Sequence, residues 1–234
     1  MTFETLTISA LDGIEAVTMN RPEVANALNA RMGLDLFGYF EDLSLDPGRA
    51  RAVILTGAGS RAFCAGGDLK ERRGMTDAMW AAQHRIYERM ARAMLACPVP
   101  VIAAVNGAAY GGGCEIALAC DFIYASDTAR FAMTEVTLGI IPGAGGTHTL
   151  ARALGERRAK ELILSARPFS AAEAAAWGMI NQVLPPDALL PAAQEIAARI
   201  GRNAPLAVRQ AKQAIARGGD LSVSDGLAFE IEAY

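Results

Sequence analysis

Histidine is almost absent from this chain: among 234 residues there are two, His84 and His148. They stand far apart, with no ligand spacing around either, so the sequence offers no metal site. Cysteine is scarce as well. Cys64, Cys97, Cys114 and Cys120 form no CxxC pair, which excludes a zinc ribbon and a thioredoxin-like motif and leaves reduced thiols as the expectation. A basic block is missing too: 22 Lys and Arg face 25 Asp and Glu, for a net charge of −3. The densest basic runs, "KERR" at 70–73 and "ERRAK" at 156–160, both contain glutamate and read as solvated helix faces. Nucleic-acid binding would want a basic stripe, so no nucleic-acid partner is expected. Every long apolar stretch is broken by Pro, Asn, Gly or Glu, so no membrane span is expected either. The opening "MTFETLTISALDG" has no basic region leading an apolar core. It reads as a strand rather than a signal peptide, and a cytoplasmic protein is the expectation. No repeat of fixed period and no low-complexity linker is visible.

What the chain has instead is small apolar residues. Hydrophobic side chains make up 52%, and glycines number 23, enough for one substantial core with backbone packed close to backbone. "TLTISALDGIEAVTMNRP" reads as a hairpin turning at Asp12-Gly13. Leu28, Met32, Leu36, Phe40 and Leu43 recur at helical spacing, and Pro47-Gly48 ends that helix. "RAVILTG" and "VIAAVNG" read as buried strands, "GAGSRAFCAGGDLKE" as a glycine-rich loop, and Met75 to Cys97 as a long helix. "DFIYAS" and "ARFAMTE" read as strands, and "LGIIPGAGGT" as a loop. Ser170 and Glu173 form a capping box for the helix that Gly178 ends. "MINQVLP" is a short strand. Two further helices follow, the second capped by Asn203 with Pro205 in its first turn. The fold class is α/β, with a core over 1–185 and a helical region over 186–234.

Gly57-x-Gly59-x-x-Ala62 after a strand looks like a dinucleotide fingerprint. The context fails: no periodic helix opens after Ala62, and Asp77 does not end a second strand. A plain strand-to-loop turn is the better reading. More informative are "AFCAGGDL" at 62–69, "NGAAYGGGCE" at 106–115 and "ARFAMTEVTLGIIPGAGGT" at 129–147. Glycine turns after buried strands leave backbone N–H groups free, and two converging N–H groups make an oxyanion hole. Glu115 lies in the first turn of a helix, among apolar neighbours, where the helix dipole favours negative charge. Glu135 ends a strand just before another Gly/Pro loop. Two carboxylates in dry surroundings have shifted, coupled proton affinities, which suits proton traffic at carbon.

These segments, with "NRPEVANALN" and "PVIAAVNGAAYGGGCEIALACD", give the chain a close resemblance to the crotonase (enoyl-CoA hydratase/isomerase) family along its whole length. The resemblance implies a spiral of β-β-α turns with a helical C-terminal region that builds homotrimers, or dimers of trimers. It implies an acyl-CoA substrate, with coenzyme A part of the substrate and no separate cofactor. Its closest activity is that of an enoyl-CoA hydratase; the alternative is another reaction of the family, enoyl-CoA isomerisation or CoA-thioester hydrolysis. By motif match, Glu115 takes a proton from water and Glu135 supplies one to Cα, while the N–H groups of Ala65 and Gly112 hold the thioester oxygen. Val24, Ala25, Leu28, Gly66, Gly67, Asp68 and Leu69 match CoA-binding positions. Some members have lysine where this chain has Glu23, which makes Lys70 and Arg21 the substitutes for phosphate contact. Met75, Met79, Trp80 and Tyr87 are candidate walls of the acyl pocket, with ordinary packing as the competing reading of each. Members of the family usually continue into one more helix than "SDGLAFEIEAY" allows. A chain truly without it is expected to bind CoA more weakly and to form a looser oligomer.

Overall fold

The computed structural model describes residues 2–233. Asp12 and Gly13 both take positive φ, 51° and 77°, the geometry of a two-residue hairpin turn. They join β1 (Leu6–Leu11) and β2 (Ile14–Met19), antiparallel from Leu6 opposite Met19 to Leu11 opposite Ile14. Helix α1 (Ala30–Leu45) follows; the Asn29 side chain caps it by accepting from the Met32 N–H, and its apolar face buries Met32, Leu36, Phe40 and Leu43.

The next three turns of chain repeat one plan. A strand enters a large sheet, a short strand enters a small one, and a helix returns. The first is β3 (Ala52–Gly57), β4 (Ala62–Cys64), then α2 (Leu69–Arg72) and α3 (Asp77–Ala96). The second is β5 (Val101–Val105), β6 (Ala108–Tyr110) and α4 (Gly112–Leu118). The third is β7 (Phe122–Ser126), β8 (Arg130–Ala132) and, after a 3-10 turn at Glu135–Leu138, α5 (Gly146–Leu154). Then come α6 (Glu156–Ser165), β9 (Phe169–Ser170), α7 (Ala171–Ala176), β10 (Gln182–Leu184), α8 (Pro186–Gly201), α9 (Pro205–Gly218) and α10 (Val223–Ala233). The strands form a six-stranded sheet, β1-β2-β3-β5-β7-β10, and a four-stranded sheet, β4-β6-β8-β9. All pairings from β2 to β10 in the large sheet are parallel. This is the expected spiral of β-β-α turns.

Strand alternation explains the two cores. Val53 and Leu55 point into the main core with Val101, Ala103 and Val105, while Ala52, Ile54, Ile102 and Ala104 face Leu189, Ala193 and Ala197 of α8. Each large aliphatic side chain so buried contributes ~1.5–3 kcal/mol. Helix α8 is therefore a layer of the core. Helices α9 and α10 are different, with no buried residue in either.

Three local expectations need correction. The glycine-rich stretch at 57–71 is not all loop, because it holds β4 and α2. The strand expected over "ARFAMTE" stops at Ala132, and Glu135 opens a 3-10 turn instead of ending a strand. Asn203 does not cap α9; Ala204 holds that position without a side-chain bond, and Pro205 starts the helix.

Candidate active site

Parallel strands put their C-terminal loops at one end of a sheet, and those loops here enclose a cavity of about 980 Å³. Its walls are residues 65–67, Gly111, Gly112 and Glu115, the loop around 134–148 and one face of α3. Two glycine positions make the close approach of these loops possible. Gly111 adopts φ 51° with ψ −122°, which side-chain-bearing residues avoid. Gly113 packs so tightly on β4 that a Cβ there would overlap the Cys64 carbonyl.

Helix α4 carries Glu115 into the cavity wall. The side chain is 4% exposed, and its Oε1 accepts the Ala144 N–H at 2.7 Å and the Gly146 N–H at 2.9 Å. So the partner of this buried carboxylate is the glycine-rich loop that leads into α5, not a cation. Burial pushes the Glu115 carboxyl above its ordinary range, and the amides of Gly146, Ala144 and Gly143 pull it part of the way back.

Glu135 lines the same cavity at 8% exposure. Its Oε2 is buried with no hydrogen-bond partner among the described residues, and a Cβ on Gly111 would stand 3.1 Å from its Oε1. Burial first, and then the Glu115 charge, push it up to about 7 against the pull of local amides and Arg72. One carboxylate is thus fixed by amides, and the other is free to exchange a proton near neutral pH.

The expected amide pair is half corrected. Ala65 donates its N–H to the Ala25 carbonyl at 3.1 Å, because residues 25–28 pair with residues 65–68, with Leu28 bridged to Gly67. It is not free for a ligand. Gly67 and Gly112 line the cavity, and among the described residues neither donates its N–H to a backbone carbonyl. Gly112 is the first residue of α4, where a helix has no internal acceptor to offer. A Cβ on Gly66 would lie 3.7 Å from the Gly112 nitrogen, so the two loops abut.

The remaining positions divide. Leu28, Gly66, Gly67 and Leu69 line the cavity, whereas Val24, Ala25 and Asp68 do not. Val24 ends a 3-10 turn, and Ala25 follows it in the left-handed region at φ 55°. Asp68 caps α2 through the Lys70 and Glu71 amides and pairs with Arg21 at 3.0 Å. Burial opposes its charge, but Arg21 and those amides win and hold the carboxyl below its usual range. Arg21 also donates to the Ala27 carbonyl, so it is engaged within the fold, while Lys70 is exposed. Of the four wall candidates, Trp80 and Tyr87 line the cavity; Met75 and Met79 do not, and Met79 is exposed. The Tyr87 hydroxyl donates to the Leu28 carbonyl at 2.8 Å.

The sequence reading passed over several cavity residues. Both histidines are there: His84 stacks on Trp80 with centroids 5.4 Å apart, and His148 lies on α5. Arg72, Glu88 and Arg92 also line the cavity, as do Leu138, Ile140 and Pro142. The signal for the α3 residues was their spacing: positions 80, 84, 88 and 92 share one helix face.

A family model described as enoyl-CoA hydratase/isomerase matches residues 9–234. The short-chain-enoyl-CoA hydratase of Clostridium acetobutylicum is 43% identical over 221 residues, covering 94% of this chain and 84% of that protein. The crotonyl-CoA hydratase of Syntrophomonas wolfei is 37% identical and is covered over 90% of its length by the whole of this chain. The crystal structure of an enoyl-CoA hydratase from Bacillus anthracis superposes with a TM-score of 0.96 at 41% identity, covering 99% of this chain and 90% of that one. The spiral described above is the crotonase fold, and the chain belongs to the enoyl-CoA hydratase/isomerase family.

Proposed function

We propose that the protein adds water reversibly and syn across the double bond of a trans-2-enoyl-CoA, giving a 3-hydroxyacyl-CoA. The observation behind this reading is the contrast between the two cavity carboxylates. Glu115 is held by two amides, and Glu135 keeps a buried oxygen that no protein group satisfies among the described residues. Glu115 takes the proton from water as its oxygen bonds to Cβ, and Glu135 delivers a proton to Cα. The Gly67 and Gly112 amides hold the thioester oxygen as enolate charge develops; fixed donors with no titratable group suit that task. Gly67 here takes the place first given to Ala65. The reaction needs only the chain's own groups and water, with coenzyme A carried by the substrate. The names of the Clostridium and Syntrophomonas relatives support hydration over isomerisation.

Glu115→Gln and Glu135→Gln are each expected to cut hydration of crotonyl-CoA by about 10²–10⁴-fold. Near wild-type turnover in either variant would sink the two-glutamate mechanism.

Assembly belongs to the same reading. Leu206, Ile215, Val223, Leu227 and Ile231 of α9 and α10 are exposed, and a homotrimer or a dimer of trimers would cover them.

A further inference from the structure

Arg72 ends α2 and lines the cavity, yet it forms no ion pair among the described residues. The other arginine of the cavity, Arg92, is already paired with Glu88 at 2.7 Å. Arg72 is held in place from behind. Its Nε donates to Gln83 Oε1 at 3.0 Å, and Gln83 Nε2 donates to Glu71 Oε2 at 2.6 Å. Glu71 in turn accepts the Ala30 N–H at 3.0 Å. Gln83 is 3% exposed, so this relay is part of the packed interior. It anchors the guanidinium by one edge and keeps Glu71 from pairing with it. The face of the guanidinium lies against Gly67, where a Cβ would stand 3.2 Å from Cζ and 3.3 Å from Nη1 and Nη2, and among the described residues no side-chain hydrogen bond uses Nη1 or Nη2. The guanidinium carbon is 5.8 Å from the Tyr87 ring centroid, and its charge acts on Glu135.

We propose that Arg72 is a specificity residue that recognises a carboxylate on the acyl chain, so that the preferred substrate is a short enoyl-CoA bearing a second carboxyl group. The proposal rests on the hydratase reading. A guanidinium fixed through Nε presents two parallel N–H donors, the fork that fits a carboxylate. A purely hydrocarbon chain would leave that fork unmatched. The guanidinium stacks on Gly67, whose amide is proposed for the thioester oxygen, and its charge reaches the proton donor Glu135, so an anion paired with it would lie on the acyl side of the thioester. The Glu115 carboxylate would otherwise repel such a substrate, and Arg72 offsets it.

The test compares kcat/KM for crotonyl-CoA and for glutaconyl-CoA, the enoyl thioester that ends in a carboxylate. Wild type should favour glutaconyl-CoA. In Arg72→Met the glutaconyl-to-crotonyl ratio should fall about 10²-fold, with partial recovery in Arg72→Lys. Gln83→Leu, which frees the guanidinium from its anchor, should lower the ratio in the same direction. Taking the ratio within each variant removes any loss of folded protein. A wild type that prefers crotonyl-CoA would overturn the proposal alone. So would an equal loss on both thioesters in Arg72→Met, which would give Arg72 to charge common to every substrate. A wild type that hydrates neither overturns the hydratase reading and this proposal with it.

Discussion

Glu115 and Glu135 show how one side chain serves two purposes in two surroundings. Both are buried and both are pushed above the ordinary carboxyl range, but only Glu115 receives amides from the 143–146 loop. The shift has a consequence for stability. A carboxyl raised to about 7 in the folded state binds its proton more tightly there than in the unfolded chain. Its contribution is intact below the unfolded value near 4.5 and is lost as pH rises through about 7. Glu135→Gln removes the ionisation, so it should melt higher than wild type at pH 8, with the gain shrinking towards pH 4.5. Thermal unfolding at both pH values checks this; a gain that grew on acidification would contradict it. The two glutamates were legible in the sequence because each sits beside a glycine turn in apolar company. The free amide was not. Which of Ala65 and Gly67 points into the cavity depends on the pairing of residues 65–68 with residues 25–28, a contact between segments distant along the chain.

At the scale of elements, the site depends on loops that touch backbone to backbone. Gly146 is the plainest case: a Cβ there would stand 2.9 Å from both Cγ and Oε1 of Glu115. Gly146→Ala should therefore fold and lose activity, because the carboxylate must leave its cradle. Gly113→Ala should lower the melting temperature, since its Cβ would meet the rigid backbone of β4, and overpacking of that kind costs about 1–3 kcal/mol or more. Circular dichroism alongside the activity assay separates the two, and equal behaviour of both variants would refute the distinction. Periodicity showed the long elements, such as α1 with its buried stripe and the hairpin at Asp12-Gly13. It missed β4, a strand of three residues buried throughout, which has no alternation to display. Short strands of this kind are made by their neighbours, here β6, and not by their own sequence.

Over the whole molecule, the spiral brings successive loops to one end of a parallel sheet, and α8 seals the sheet's other face. Helix α9 is attached by few ties, chiefly Lys212, which donates to the Val99 carbonyl at 2.8 Å and pairs with Asp121 at 2.7 Å. Leu206 and Ile215 of α9 and Val223, Leu227 and Ile231 of α10 remain exposed. Light scattering should accordingly give a mass of three or six chains of 24.6 kDa; a monomer at micromolar concentration would contradict the proposed assembly. No helix among the described residues is long and apolar enough to cross a membrane. The most direct test of hydration by this protein follows crotonyl-CoA in heavy-oxygen water. Hydration gives loss of the conjugated absorbance and an intact thioester carrying one heavy oxygen on C3. Release of free coenzyme A, or a double bond that stays or moves without oxygen uptake, would contradict it.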